Sequence, residues 1–118
     1  MVYVDGFLLV VPKKKLRAYV AIAKVAGKVW REHGALEYRE CAGEDLKTPC
    51  GAPFPKVVKA KAGDAVVFSW ITYKSRKHRD AVNKKVMSDK RILRMMGKPM
   101  PFDMTRMSHG GFEVLVDK

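Results

Sequence analysis

Cysteine is scarce in this chain: Cys41 and Cys50 are the only two in 118 residues. Two thiols lack the second ligand pair that a structural zinc site needs, and they are too few for a disulfide scaffold. They read as ordinary thiols in a reducing, cytoplasmic setting. Acidic residues are also short, with 12 Asp and Glu against 24 Lys and Arg, a formal net charge of +12. Long apolar runs are missing, so no membrane span is expected. The apolar N-terminus has no basic region before it and no small-residue cleavage site after it, and reads as a first strand rather than a leader. No phosphate loop or dinucleotide fingerprint follows that strand. There is no Ser-His-Asp order and no fixed-spacing metal cluster. Neither a cofactor nor a metal is expected. Internal repeats and low-complexity tracts are absent too, and residues 1–118 read as one domain.

The most telling absence is alternation. Val2 to Val11 and Ala65 to Tyr73 are apolar almost throughout. A strand buried on one side alternates apolar with polar; a strand buried on both sides does not. Pro12 is placed to open a helix that runs to about His33 and stops at Gly34. Leu16, Tyr19, Val20, Ala23, Ala26 and Trp30 form its core stripe, and Ile22, Val25 and Val29 widen it. Residues 35–42 alternate better and carry charges, as an edge strand should. Residues 43–56, with three Pro and two Gly, read as a loop, and Val57 to Lys61 as a short extended arm. Ser75 can cap a second long helix ending near Met87, with His78, Ala81, Val82 and Val86 as its apolar side, and Ser88-Asp89 a short one from Lys90 to Met96. Arg106 to Val116 is the fourth strand.

The order is β-α-β-β-α-β, an α+β, ferredoxin-like arrangement: a four-stranded antiparallel sheet with two helices on one face. The second apolar face needs a cover. A second copy of the sheet is the simplest, which gives a homodimer closed as a dimeric α/β barrel.

Several segments then point to a family. Tyr3-Val4-Asp5-Gly6-Phe7, Val66 to Ile71, Arg79-Asp80-Ala81, Met87-Ser88-Asp89, Met100-Pro101-Phe102-Asp103, Arg106-Met107 and Gly110 to Glu113 resemble the YbaA-like family of small bacterial proteins. The resemblance covers nearly the whole chain. It implies the dimeric α/β-barrel superfamily, in which cofactor-independent oxygenation and isomerisation both occur, and it implies no assigned activity for the family itself. Cys41 to Pro55 is where the chain departs most.

Asp5 is the only charge in its strand and shares a face with Tyr3, Phe7 and Leu9. A buried carboxylate must pair, accept several hydrogen bonds or become neutral. It reads either as a general base or as one half of a structural ion pair with Arg106 or another cation. His109, Gly111 and Glu113 share one face of the last strand, with Phe112, Val114 and Val116 on the other, expected to lie beneath the helices. His109 and Asp5 are the candidate catalytic pair, or a structural hydrogen bond. Tyr3, Phe7, Trp70, Arg106 and Glu113 are the candidate substrate-binding set, with Trp70, Tyr3 and Phe7 as a wall for a small aromatic or quinone-like ligand between the sheets and Arg106 as an anion holder. Trp70 is equally readable as core. Gly110-Gly111 reads as a strand bulge or a place of close backbone approach.

Residues 74–98 hold ten Lys or Arg against Asp80 and Asp89. The alternative function is therefore a non-enzymatic binding or structural module whose basic helices meet an anionic partner. Nucleic acid is not favoured, because no aromatic-interleaved basic strand and no helix-turn-helix accompanies the charge. The six methionines after residue 86 read as adaptable packing.

Overall fold

The two runs without alternation become β1 (Tyr3–Pro12) and β3 (Asp64–Tyr73), and they are the two central strands of the sheet. β2 (Glu37–Ala42) and β4 (Ser108–Glu113), which carry the charges and glycines, are the edges of the order β2-β3-β1-β4. Position in the sheet thus explains the pattern: only the inner strands are lined with apolar side chains above and below. The computed structural model describes residues 1–118, and all strand pairs are antiparallel. This is the ferredoxin-like fold expected.

Three helices cover one face. α1 (Leu16–Glu32) follows a single 3-10 turn at Lys13–Lys15, so Pro12 ends β1 and the α-helix starts four residues later than expected. A 3-10 entry is tighter than an α-turn and lets the chain reverse off the strand end. Gly34 closes the helix at φ 118°, a conformation that favours glycine. α3 (Arg76–Met87) is capped by Ser75, whose hydroxyl accepts from the His78 N–H at 3.1 Å. α4 (Lys90–Met96) is capped by Asp89, which accepts from the Arg91 N–H at 2.9 Å. The expected extended arm Val57 to Lys61 does not form: Val57 ends a short helix, α2 (Phe54–Val57), started by Pro53 and Pro55, and Val58 and Lys59 turn out of it. The last strand is shorter than expected because Met104–Arg106 form another 3-10 turn.

Register decides which residues look at the helices. Tyr3, Asp5, Phe7, Leu9 and Val11 of β1 stand opposite Tyr73, Ile71, Ser69, Val67 and Ala65 of β3, and these face α1, α3 and α4. On β4 the same face carries His109, Gly111 and Glu113, so Phe112 is on the far side, not beneath the helices as expected. The core joins Val29, Tyr73, Val82 and Val86 across α1, β3 and α3. Val20 and Val25, expected to bury or widen the α1 stripe, are exposed. The far face is apolar and largely bare, with Val4, Leu8, Phe68, Trp70 and Phe112; Phe68 is 46% and Phe112 62% exposed. At one end it is closed, where Val10 and Val66 are buried and Phe54 packs on Phe68 with ring centroids 6.4 Å apart.

Gly110 and Gly111 form no bulge: Gly6 pairs with Gly110 and Asp5 with Gly111 in unbroken register. Gly111 is required by a neighbour instead. A Cβ there would come within 2.7 Å of the Tyr3 ring, so the bare backbone is what lets Tyr3 lie across β4.

Candidate functional site

A cavity of about 800 Å³ lies between the helix-facing side of the sheet and α1, α3, α4 and the connector from Lys98 to Met107. Eighteen of its 28 lining residues are hydrophobic, which suits an apolar ligand of small-molecule size. It opens because α1 presents small residues, Ala23 and Ala26, over the sheet, and because methionines rather than branched residues close the far side. Phe7, Ile71 and Ser69 form the floor.

At one end of this cavity stands Asp5, 7% exposed. The Arg79 Nη1 donates to its Oδ1 at 2.7 Å, and the Arg79 Nε donates to Asp80 Oδ1 at 2.7 Å. The guanidinium also lies over the Tyr3 ring, 5.0 Å from its centroid. Burial pushes the Asp5 carboxyl above the usual aspartate range; Arg79, and to a smaller extent His109, pull against it without cancelling it. Asp5 is therefore a carboxylate that holds a proton more readily than an exposed one. His109 stacks on Phe7 with centroids 5.7 Å apart and 21° between planes. It is a diagonal neighbour of Asp5 across β1 and β4, and no hydrogen bond joins the two directly.

The middle of the cavity is braced. The Trp30 Nε1 donates to Tyr73 Oη at 3.1 Å and to Asn83 Oδ1 at 3.2 Å, and the Tyr73 hydroxyl donates to the same Asn83 oxygen at 3.2 Å. This triangle ties α1, β3 and α3 together. Burial, and then the charge of Asp5, hold the Tyr73 phenol well above its ordinary pKa, so it stays a donor. At the other end Glu40 accepts the Tyr19 hydroxyl on Oε1 and the Tyr38 hydroxyl on Oε2, both at 2.7 Å. Both phenols are pushed up, first by burial and then by that carboxylate.

The expected site residues divide. Asp5, Phe7 and His109 line the cavity. Tyr3 sits behind them under Arg79, and Glu113 stands opposite Tyr3 at the exposed edge. Trp70 is on the bare face, where its Nε1 donates to Glu37 Oε1 at 2.7 Å, so its side chain leaves the sheet on the side opposite to those of Tyr3 and Phe7. Register forces this: residue 70 has the opposite parity to Ile71 and Ser69. Arg106 is a loop tie, its Nη2 donating to the carbonyls of Val58 at 3.0 Å and Lys59 at 2.9 Å. The cation expected beside Asp5 is Arg79. This cavity lies within one chain, beneath the helices, and Glu40, Tyr19, Tyr38 and Ser69 belong to it unforeseen. Glu40 had a sequence signal, its helix-facing parity with Tyr38, which reads equally well as edge-strand charge.

Cys41 and Cys50 are free and exposed. No cluster of three or more metal-ligating side chains occurs, and no helix is long and apolar enough to cross a membrane.

Residues 2–104 match a family model described as a protein of unknown function, DUF1428. Over all 118 residues, and the whole length of the relative, the chain is 45% identical to the uncharacterized protein YbaA of Escherichia coli K12. Solved structures share the fold at low identity. A putative antibiotic biosynthesis monooxygenase from Nitrosomonas europaea aligns with TM-score 0.61 at 13% identity, covering 97% of this chain and 90% of that one. SnoaB, a cofactor-independent oxygenase from Streptomyces nogalater, aligns with TM-score 0.56 at 10% identity, covering 98% and 95%. A dimeric ferredoxin-like protein from an uncultured marine organism aligns with TM-score 0.56 at 12% identity, covering both chains completely.

Proposed function

We propose, for a chain that belongs to the DUF1428 family, that each protomer of a homodimer binds a small aromatic or quinone-like molecule in the cavity beneath its helices. Asp5 and His109 are the groups that move protons there. The observation that carries this reading is the convergence of a buried carboxylate of raised proton affinity and an imidazole on one end of a mainly apolar cavity. Arg79 holds Asp5 in place and keeps its anion tolerable until it takes a proton. The flat Phe7 ring and Ile71 support a planar ligand. The resulting reaction class is proton removal from an activated ligand, the opening step of an isomerisation or a cofactor-independent oxygenation. The dimer forms through the bare sheet face, where Phe68 and Phe112 are exposed and Trp70 is half-buried.

The test is direct. Titration with a panel of naphthols and naphthoquinones should shift the amide resonances of Phe7, Ile71 and His109, and Asp5→Asn should retain binding while abolishing any turnover found. A panel that moves none of these resonances overturns the ligand reading. Retained turnover in Asp5→Asn removes the proton-transfer role and leaves the binding role intact.

One observation favours a second reading. Arg76, Lys77, Lys84 and Lys85 of α3 are exposed and make no salt bridge, whereas Arg79 of the same helix is paired. A surface of this kind attracts an anionic macromolecule, with affinity falling steeply as salt rises. Reversing Lys84 and Lys85 should then weaken retention on a polyanion and leave ligand titrations unchanged.

A further inference from the structure

The cavity floor carries a row of four paired residues, one from each strand. Glu40 of β2 is opposite Ser69 of β3, Ser69 is opposite Phe7 of β1, and Phe7 is opposite His109 of β4. All four line the cavity. Read across the sheet, the row is a carboxylate, a hydroxyl, an aromatic ring and an imidazole.

Two members are underused by the protein itself. Glu40 is a half-buried carboxylate with no salt bridge to any cation; two phenols are its only side-chain partners. Ser69 is 5% exposed as a residue, but its hydroxyl has no protein partner and is not sealed in the core: it is reached from the cavity it lines. A hydroxyl that no protein group satisfies takes its hydrogen-bond partner from whatever fills the cavity beside it. Directly paired residues on one sheet face hold their Cβ atoms about 5 Å apart. One ligand group can therefore reach both.

We infer that Glu40 and Ser69 form a subsite for a hydroxyl group of the ligand, so that the cavity selects a phenol or hydroquinone over the corresponding quinone or ether. The inference rests on the cavity being the ligand site. A hydroxyl is the group that fits both partners at once: it donates to the Glu40 carboxylate and accepts from the Ser69 O–H. A quinone carbonyl or an ether oxygen only accepts. Either would set its lone pairs against the two Glu40 oxygens, which already act as acceptors for Tyr19 and Tyr38 and turn lone pairs toward the cavity. Sites built to hydrogen-bond a hydroxyl reject the analogue lacking it far more strongly than apolar walls reject a change of size. With its hydroxyl seated at Glu40, a two-ring ligand lies over Ile71 and Phe7 and extends toward Asp5 and His109.

The experiment compares 2-naphthol with 2-methoxynaphthalene by calorimetry on the intact protein. The wild type should bind the naphthol at least about tenfold more tightly than the ether. Glu40→Gln, which keeps the side-chain shape and an acceptor for a tyrosine, and Ser69→Ala should each narrow that ratio to about threefold or less, mainly by weakening the naphthol. Thermal unfolding of each variant verifies folding, and the unchanged affinity for the ether is the internal control. Equal binding of naphthol and ether by the wild type overturns this inference and leaves the cavity reading standing. A ratio unmoved in both variants also overturns it. Absence of binding by either compound up to about 1 mM removes the cavity reading and this inference together.

Discussion

The two faces of the sheet solve the burial problem in different ways. The helix face is covered, yet it holds the polar groups: Asp5, Ser69, Glu40 and the hydroxyl of Tyr73. The far face is uncovered, yet it holds Phe68, Trp70 and Phe112. Where helices exclude water, a polar side chain is held by other polar side chains and becomes chemically specific. Where no helix lies, apolar surface remains as adhesive. In the function proposed above the covered face is the chemical one and the bare face the associating one, the reverse of what exposure alone suggests.

Four perturbations test that contrast. The largest effect is expected from Arg79→Met, which leaves Asp5 buried without its cation. It should cost about 3 kcal/mol in urea unfolding at neutral pH. The loss should shrink as pH falls toward the unfolded carboxylate range, because Asp5 is then protonated in both states. An unchanged loss at low pH would mean that packing over Tyr3, not charge, is what Arg79 supplies.

Next, Trp70→Glu or Phe112→Glu on the bare face should weaken self-association by about a hundredfold in sedimentation, each being a large central side chain made charged. The unfolding of the monomer and ligand binding beneath the helices should hardly change. A wild type already monomeric at micromolar concentration would remove the contrast at its root.

A smaller effect is expected from Asp5→Asn. The folded-state pKa of Asp5 is raised, so its ionisation opposes folding, and wild-type stability from this group falls as pH rises through that pKa. The variant should lack that fall. The difference between the two unfolding free energies should therefore shift in favour of the variant between acid and neutral pH, and a flat difference would place the Asp5 pKa at its ordinary value.

The smallest effect belongs to the surface. Asp89 caps α4 and receives His33 at 2.8 Å and Arg91 at 2.9 Å. Hydrogen bonds from Arg91 and then His33 hold its carboxyl well below the usual range, so its contribution is complete above about pH 4 and lost below. Asp89→Ala should lower the melting temperature slightly at neutral pH, and by less as acid protonates the wild-type carboxylate.

The sequence carried the contrast only in part. Strand order and helix placement were legible because β1 and β3 lack alternation and because Ser75, Asp89 and Gly34 are strong end signals. Asp5 stood out as a lone charge in an apolar strand. Its partner did not, since Arg79 is one of ten basic residues in its segment and nothing local distinguishes it. The division between Trp70 and Tyr3 depends on the relative register of β1 and β3, a long-range property that hairpin chemistry does not set here. Ser69 and Glu40 looked unremarkable for the same reason: their significance is that they are opposite each other.

Gly111 has one further consequence. Its missing methyl group admits the Tyr3 ring, the Tyr3 ring supports the Arg79 guanidinium, and Arg79 holds Asp5. β4 is an edge strand joined to the sheet only through β1. The seating of a peripheral strand is thus geared, through three side chains, to the proton affinity of a carboxylate inside the molecule, and Gly111→Ala would turn that gear from outside the cavity.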